Sequence, residues 1–166
     1  MVSSELIRRY PFFAGLSYDQ IVTLAKVADE IFVPPEHYFF HEGDELTHFY
    51  LVIEGQVAIV LDLPKSGVTH KLSEVLTHSF PTEDITVISL GPGQVFGWSA
   101  LVPPHEATSS GKALTSCRVI AFDCLELRER FEEDSRFGYL MTQKAAQIIR
   151  NRLRDMRIES VAQLVK

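Results

Sequence analysis

The residues best suited to chemistry in this 166-residue chain lie in one glycine-rich segment, residues 91–101, with the sequence GPGQVFGWSAL. Glycines permit tight turns there, and the stretch after Gly97 predicts a short helical turn whose first N–H groups face outward. Backbone N–H groups gathered in this way bind anions such as phosphate. This glycine segment therefore predicts a site for a small anion, formed by Phe96, Gly97, Trp98, Ser99, Ala100 and Leu101.

Residues for catalysis or metal binding do not form comparable patterns. His37, His41 and His48 lie near one another in sequence, but they complete no metal-ligand spacing. Two cysteines are too few for a disulfide framework or a cysteine-based zinc site. Neither a nucleophile with a recognisable base nor a Walker or dinucleotide fingerprint occurs. We therefore predict a non-enzymatic protein that requires no metal and no cofactor.

The composition argues against several classes of protein. The 16 basic and 22 acidic residues leave a net charge of −6, whereas nucleic-acid binders usually carry a basic face. Hydrophobic residues make up 46%, enough for a packed core, but no apolar run is long enough for a signal peptide or a membrane-spanning helix. We expect a cytoplasmic protein that contacts neither membrane nor nucleic acid.

The elements that position the glycine segment are mainly strands. Short β-rich runs separated by glycine turns predict a sandwich or barrel, with strands at residues 30–33, 38–41, 49–53, 56–61, 85–90, 94–96, 107–115 and 117–123. Residues 62–84 interrupt the series. We interpret them as a surface insertion, with a functional lid as the alternative, and Leu72, Val75 and Leu76 as one helical turn inside it.

Helical patterns flank the strands. Ser17 and Gln20 have the spacing of a capping box before a helix that ends ahead of Pro34. Shorter helices are predicted at residues 3–9 and 125–131. A long helix is predicted from 137 towards 165, with Ser135 as its candidate cap. We divide the chain into a domain of residues 1–136 and a C-terminal helix of residues 137–166.

The long helix carries an apolar stripe that exceeds what a small barrel covers. Ile149, Leu153 and Met156 are expected to face a partner. The sequence therefore predicts a homodimer through this helix, with a second protein as a further possible type of partner.

The order of these elements resembles the cyclic nucleotide-binding domain of the catabolite activator protein superfamily over about residues 10–157. Four segments carry the resemblance, at residues 12–17, 40–44, 50–57 and 90–97. It implies a mainly β fold with flanking helices, a double-stranded β-helix (jelly-roll) barrel and a long C-terminal helix. It also implies a regulatory or sensory role, with cyclic AMP, cyclic GMP or another small anion as the candidate ligand.

Two side chains depart from the family pattern. The family places a glutamate for the ribose 2′-hydroxyl directly after the Phe-Gly pair, and an arginine for the cyclic phosphate after the next loop. These positions are Trp98 and Ala107 here. An indole donates a hydrogen bond but accepts none, and each lost contact costs roughly 1.5–3 kcal/mol. Weakened or altered nucleotide binding is therefore expected.

Other groups are available to a ligand. Thr108 and Ser109 follow Ala107 with two hydroxyls, and Arg152 and Met156 occupy the part of the long helix that caps the base in the family. His105 and Lys112 are the nearest cations, but Lys112 is expected to face the opposite side of its strand.

Two roles are open for Trp98. It either fills the space of a ribose and closes the pocket, or shapes a pocket for a flatter or less charged ligand. The first role predicts a ligand-free interaction and dimerisation module, and the second a ligand sensor. A cupin-like metal enzyme is a third hypothesis, because cupins share the barrel architecture.

A DNA-binding role would require a further domain. The transcription factors of the family carry a helix-turn-helix after the long helix, which needs on the order of 50 more residues. The sequence given ends at Lys166. On that basis we expect a stand-alone module with no nucleic-acid partner.

Overall fold

Two four-stranded antiparallel sheets face each other in the computed structural model, which describes residues 2–64 and 82–165. One sheet has the order β1-β8-β3-β6 and the other β2-β7-β4-β5. The strands are β1 (Ala28–Val33), β2 (Tyr38–Phe40), β3 (His48–Glu54), β4 (Val57–Pro64), β5 (Thr82–Leu90), β6 (Val95–Phe96), β7 (Ser110–Ala113) and β8 (Cys117–Asp123). This arrangement, with the helices described below, confirms the predicted mainly β jelly-roll fold.

Alternate residues of the strands bury their side chains between the sheets. On β3 and β6, Tyr50 and Phe96 face Phe39 and Phe40 of the other sheet. On the opposite face, Phe49 of β3 and Phe122 of β8 are fully buried, their rings stack with centroids 4.5 Å apart, and they contact Phe12 and Phe13 near the N-terminus. These strands pair along their whole length, from His48 opposite Asp123 to Glu54 opposite Arg118. The core therefore covers both faces of the sheet that carries Val95 and Phe96 of the glycine segment.

The interruption between β4 and β5 is shorter than predicted. Asp62 pairs with Asp84 and Pro64 with Thr82, so both strands extend into the region assigned to an insertion. Residues 65–81 remain between them and lie outside the described residues, as do Leu72, Val75 and Leu76. The predicted strand 107–115 is likewise confined to Ser110–Ala113.

The described helices are α1 (Ser4–Arg8), α2 (Tyr18–Lys26), α3 (Cys124–Glu133) and α4 (Ser135–Leu164), with 3₁₀ turns at Pro11–Phe13 and Trp98–Leu101. The predicted capping box is confirmed, because Ser17 and Gln20 exchange two backbone-to-side-chain hydrogen bonds of 3.2 and 3.0 Å. The cap predicted for the long helix was wrong by one residue. Asp134 rather than Ser135 caps α4, since its carboxylate accepts from the Phe137 N–H at 3.0 Å.

The two halves of α4 have different environments. Phe137, Met141 and Ala145 are buried in the core, and Lys144 Nζ donates to the Ala14 carbonyl at 2.6 Å. From Arg150 onward most side chains are exposed. The first half therefore fixes the helix to the core, whereas the second half is largely exposed.

Candidate functional site

A cavity of about 290 Å³ lies between the β2-β7-β4-β5 sheet, the glycine segment and the second half of α4. Most of the site residues expected from the sequence line it: Phe96, Gly97, Trp98, Ser99, Ala107, Thr108, Ser109, Arg152 and Met156. Ala100 and Leu101 do not line it, since they are buried on the core side of the 3₁₀ turn. The fold thus brings together residues more than 50 positions apart in sequence, from Phe96 to Met156.

Gly97 shapes the start of the 3₁₀ turn. Its φ is 73°, a left-handed conformation that is unfavourable for residues with a Cβ. A Cβ at this position would also lie 3.1 Å from the His48 carbonyl oxygen and 3.2 Å from the Tyr50 ring. The glycine is therefore required by backbone conformation and by packing behind the turn, rather than by close approach of a ligand alone.

The 3₁₀ turn begins with two backbone N–H groups that lack an acceptor among the described residues. They belong to Trp98 and Ser99, the first residues of the turn. Such N–H groups are available to a ligand oxygen.

The loop after the turn is held by backbone hydrogen bonds. The Gly43 N–H donates to the Ala107 carbonyl and the Ala107 N–H donates to the Asp44 carbonyl, both at 2.8 Å. His105 Nδ1 lies 3.3 Å from the Ser99 carbonyl oxygen, and the residue does not line the cavity. Ala107, the position predicted to correspond to the phosphate arginine, is buried, and Thr108 and Ser109 beside it line the cavity.

Lys112 lies outside the cavity, on the opposite face of its strand, as predicted. Its Nζ is 2.6 Å from a Glu36 oxygen and 3.6 Å from an Asp84 oxygen. Asp84 also accepts a hydrogen bond from the Tyr38 hydroxyl, which lowers the pKa of Asp84. These ion pairs account for the charge of Lys112, so it does not provide a cation to the cavity.

Trp98, the single tryptophan of the chain, is half-buried on the cavity wall. Deeper in the cavity, Phe40 and Phe96 are buried, with ring centroids 6.2 Å apart. The inner wall is thus largely apolar.

Arg152 provides the positive charge of the site. It is the one Lys or Arg among the described residues that line the cavity. It forms no ion pair with any described carboxylate within 4.0 Å, whereas neighbouring Arg154 lies 3.5 Å from Asp155. Burial lowers the pKa of the Arg152 guanidinium, an effect that Asp155 opposes, yet an arginine remains charged at neutral pH.

Sequence reasoning missed about half of the lining. The missed residues are Phe40, Leu46, Ile59, Leu61, Val87, Ile88, Leu90, Val95, Asp155 and Glu159. Strand alternation at Ile59 and Leu61 is a signal that both face inward. Helical spacing from Arg152 to Asp155, Met156 and Glu159 is a second signal.

The described residues show little else that is typical of an active site. No group of three His, Cys, Asp or Glu side chains within residues 2–64 and 82–165 is placed to hold a metal ion. Cys117 and Cys124 are free and buried, and burial raises the pKa of the Cys124 thiol to about 12. Among the described helices, none combines the length and hydrophobicity needed to cross a membrane.

Comparison with known proteins identifies relatives of this arrangement. The family model described as "Cyclic nucleotide-binding domain" matches residues 30–134. A CRP-like cAMP-activated global transcriptional regulator of Mycobacterium tuberculosis is 27% identical over 124 residues, which are 75% of this chain and 48% of that protein. The chain thus spans about half the length of the curated relatives that it matches.

Solved structures share the architecture. A presumed cyclic nucleotide-binding protein of Geobacter metallireducens is 29% identical with a TM-score of 0.74, covering 92% of this chain and 99% of that one. The catabolite activator protein of Thermus thermophilus is 21% identical with a TM-score of 0.64, covering 92% of this chain and 62% of that one. The second likeness concerns the fold alone.

Proposed function

Because the chain belongs to the cyclic nucleotide-binding domain family of the catabolite activator protein superfamily, we propose that it is a non-enzymatic regulatory module that senses a small ligand. The ligand occupies the cavity beneath α4. One observation carries this proposal, namely that the glycine segment and α4 together line a cavity of about 290 Å³. A ligand in contact with both elements stabilises one position of the helix, which is how a bound molecule shifts a conformational equilibrium.

The proposed module binds cyclic AMP and cyclic GMP weakly. Trp98 offers no acceptor for a ribose hydroxyl, and Ala107 offers no charge for a phosphate. Lys112 is paired with Glu36 and Asp84 on the other face, and His105 contacts the Ser99 carbonyl. Two missing contacts of roughly 1.5–3 kcal/mol each correspond to a loss of at least about a hundredfold in affinity.

The helix α4 is the proposed output element. Its first half is fixed by Phe137 and Met141, both fully buried, and by the hydrogen bond from Lys144 to Ala14. Its second half carries Arg152 and Met156 on the cavity. Ligand binding therefore acts on the half of the helix that has the fewest other contacts.

The second candidate function is a ligand-free dimerisation or protein-interaction module with a pocket closed by Trp98. The exposed apolar side chains on α4 favour it: Leu153, Met156, Ile158, Val161 and Leu164. A homodimer through this stripe is compatible with both candidates, and we include it in the proposal. The free buried cysteines agree with the proposed cytoplasmic location.

Intrinsic fluorescence distinguishes the candidates, because Trp98 is the only tryptophan and lies on the cavity wall. A library of small metabolites is screened by thermal shift, and every hit is titrated while Trp98 emission is recorded. A sensor gives hits that raise Tm and change the emission together. If no compound changes either signal at millimolar concentration, the ligand-free candidate replaces the sensor.

A further inference from the structure

The charges and rings around the cavity indicate which class of ligand it takes. We propose that the ligand is an aromatic carboxylate, whose ring lies against the apolar wall and whose single negative charge pairs with Arg152. This inference rests on the proposed function, since it concerns the occupant of the same cavity.

The wall selects for an apolar body. Phe40, Leu90 and Phe96 line the interior and are each less than a tenth exposed. A sugar hydroxyl placed against such a surface without a hydrogen-bond partner costs about 1–3 kcal/mol. Aromatic rings instead pack well against other rings in offset or tilted geometry. The half-buried indole of Trp98 extends this surface to the mouth of the cavity.

Arg152 selects for an anion. Its side chain is half-buried at the cavity and has no carboxylate partner within 4.0 Å among the described residues. A guanidinium has five donors and no neutral form at physiological pH, so its partial removal from water is unfavourable until an acceptor arrives. A carboxylate accepts two parallel N–H bonds from that planar group.

Asp155 and Glu159 limit the charge of the ligand. Both line the cavity on the same face of α4 as Arg152, both are exposed, and Asp155 is 3.5 Å from Arg154. Exposed charges are screened by water and salt, so they oppose an anion less than the half-buried Arg152 attracts it. They nevertheless disfavour a second negative charge, which makes a monoanion preferable to a dianionic phosphate monoester.

The volume limits the size. A cavity of about 290 Å³ is at the small end of ligand pockets, which range over roughly 300–1,000 Å³. One or two fused rings with a short acidic arm suit such a space.

A series of three probes with the same ring tests the charge. Calorimetry on the full chain compares 2-naphthylacetate, the neutral 2-naphthylacetamide and the cationic 2-(2-naphthyl)ethylamine. We expect the acid to bind at least tenfold more tightly than the amide and the amine. Arg152→Gln should remove that advantage and leave the affinity for the amide unchanged. The matched control is Arg150→Gln, an exposed arginine on the same helix but outside the cavity lining, and it should bind the acid as the parent chain does.

Several results would overturn the inference. Equal binding of acid and amide, or tighter binding of the amine, rejects the anionic class while the sensor function stands, because the cavity still holds a ligand. Absence of binding by all three probes to a chain with intact circular dichroism also rejects it, and the metabolite screen then decides the sensor function separately. If Arg152→Gln still binds the acid more tightly than the amide, Arg152 is not the residue that pairs with the carboxylate.

Discussion

Gly97 is the residue at which the backbone most directly determines the geometry of the site. It begins the 3₁₀ turn with a φ of 73°, and the His48 carbonyl and the Tyr50 ring occupy the space beside its Cα. A side chain at this position would therefore strain the left-handed backbone and would also collide with β3.

Gly97→Ala should destabilise the protein more than Gly43→Ala. Both glycines have positive φ, which costs an alanine about 1–2 kcal/mol, but a Cβ at Gly43 meets nothing within 4 Å. Urea unfolding of the two variants measures the difference, which we expect to be about 1 kcal/mol from the added steric contact. Equal losses would mean that β3 yields to the new methyl group and that packing is not the second constraint.

Trp98 and Ala107 are the two residues on which the proposed weak nucleotide binding rests. The double variant Trp98→Glu with Ala107→Arg restores an acceptor and a cation at positions that line the cavity. Two charge-assisted contacts of about 1.5–3 kcal/mol each should tighten cyclic AMP binding by at least a hundredfold. Calorimetry measures the change.

A control for this variant is Trp98→Gln with Ala107→Met, which alters the shape of the wall without adding charge. If it tightens binding as much as the charged pair does, steric relief at Trp98 explains the effect. No gain in either variant would contradict the assignment of the two positions.

At the scale of elements, α4 is buried in the core at its first half and lines the cavity at its second half. Asp134 joins its start to α2, because the carboxylate accepts from Gln20 Nε2 and from the Phe137 N–H, each at 3.0 Å. These hydrogen bonds, first that from Gln20, lower the pKa of Asp134. The position of α4 therefore depends on a cap that also contacts a distant helix.

Asp134→Ala should lower the stability of the protein at pH 7. A carboxyl with a lowered folded-state pKa contributes stability above its unfolded pKa of about 3.9, and this contribution disappears as the pH falls through the folded value. The gap between parent and variant should thus close on acidification, as measured by urea unfolding from pH 7 to pH 3. Ser135→Ala is the control and should change little. If the difference in unfolding free energy between the parent and Asp134→Ala stays constant with pH, the charge of the Asp134 carboxylate does not contribute to stability.

At the scale of the whole molecule, features set by neighbouring residues were predictable from the sequence, whereas features that depend on distant contacts were not. The glycine turns were predictable, and Gly43 and Gly55 have φ values of 85° and 91°. The glycine segment was predictable for the same reason. The cap at Asp134 was not, because its contact with Gln20 spans 114 residues.

The remaining site residues depend on long-range geometry. Which residues of α4 reach the cavity depends on the direction in which the helix crosses the barrel, and a local pattern does not specify it. The extension of β4 and β5 into the predicted insertion similarly depends on pairing between Asp62 and Asp84. Alternation along β4 contained a usable signal, since it distinguishes inward from outward residues.

The exposed stripe on α4 leads to a prediction about assembly. Leu153 is 48% exposed, and Ile158 and Val161 are more exposed still. Leu153→Asp should convert the proposed dimer into a monomer, because a charge at the centre of an apolar interface is costly to bury. Light scattering should give twice 18.8 kDa for the parent chain and 18.8 kDa for the variant.

Leu125→Asp provides the control, as an exposed leucine on α3 that lies outside the stripe. It should leave the assembly unchanged. A Leu153→Asp chain that remains dimeric would place the interface elsewhere.

We propose above all that this cavity binds cyclic nucleotides only weakly, although the chain has the fold of the family. The most direct test is a calorimetric titration of the unmodified chain with cyclic AMP and cyclic GMP, with Trp98 emission recorded in parallel. We predict dissociation constants weaker than about 100 μM for both, following the two lost contacts. Micromolar binding with a matching change in Trp98 emission would contradict the claim, because backbone N–H groups and the remaining side chains would then suffice.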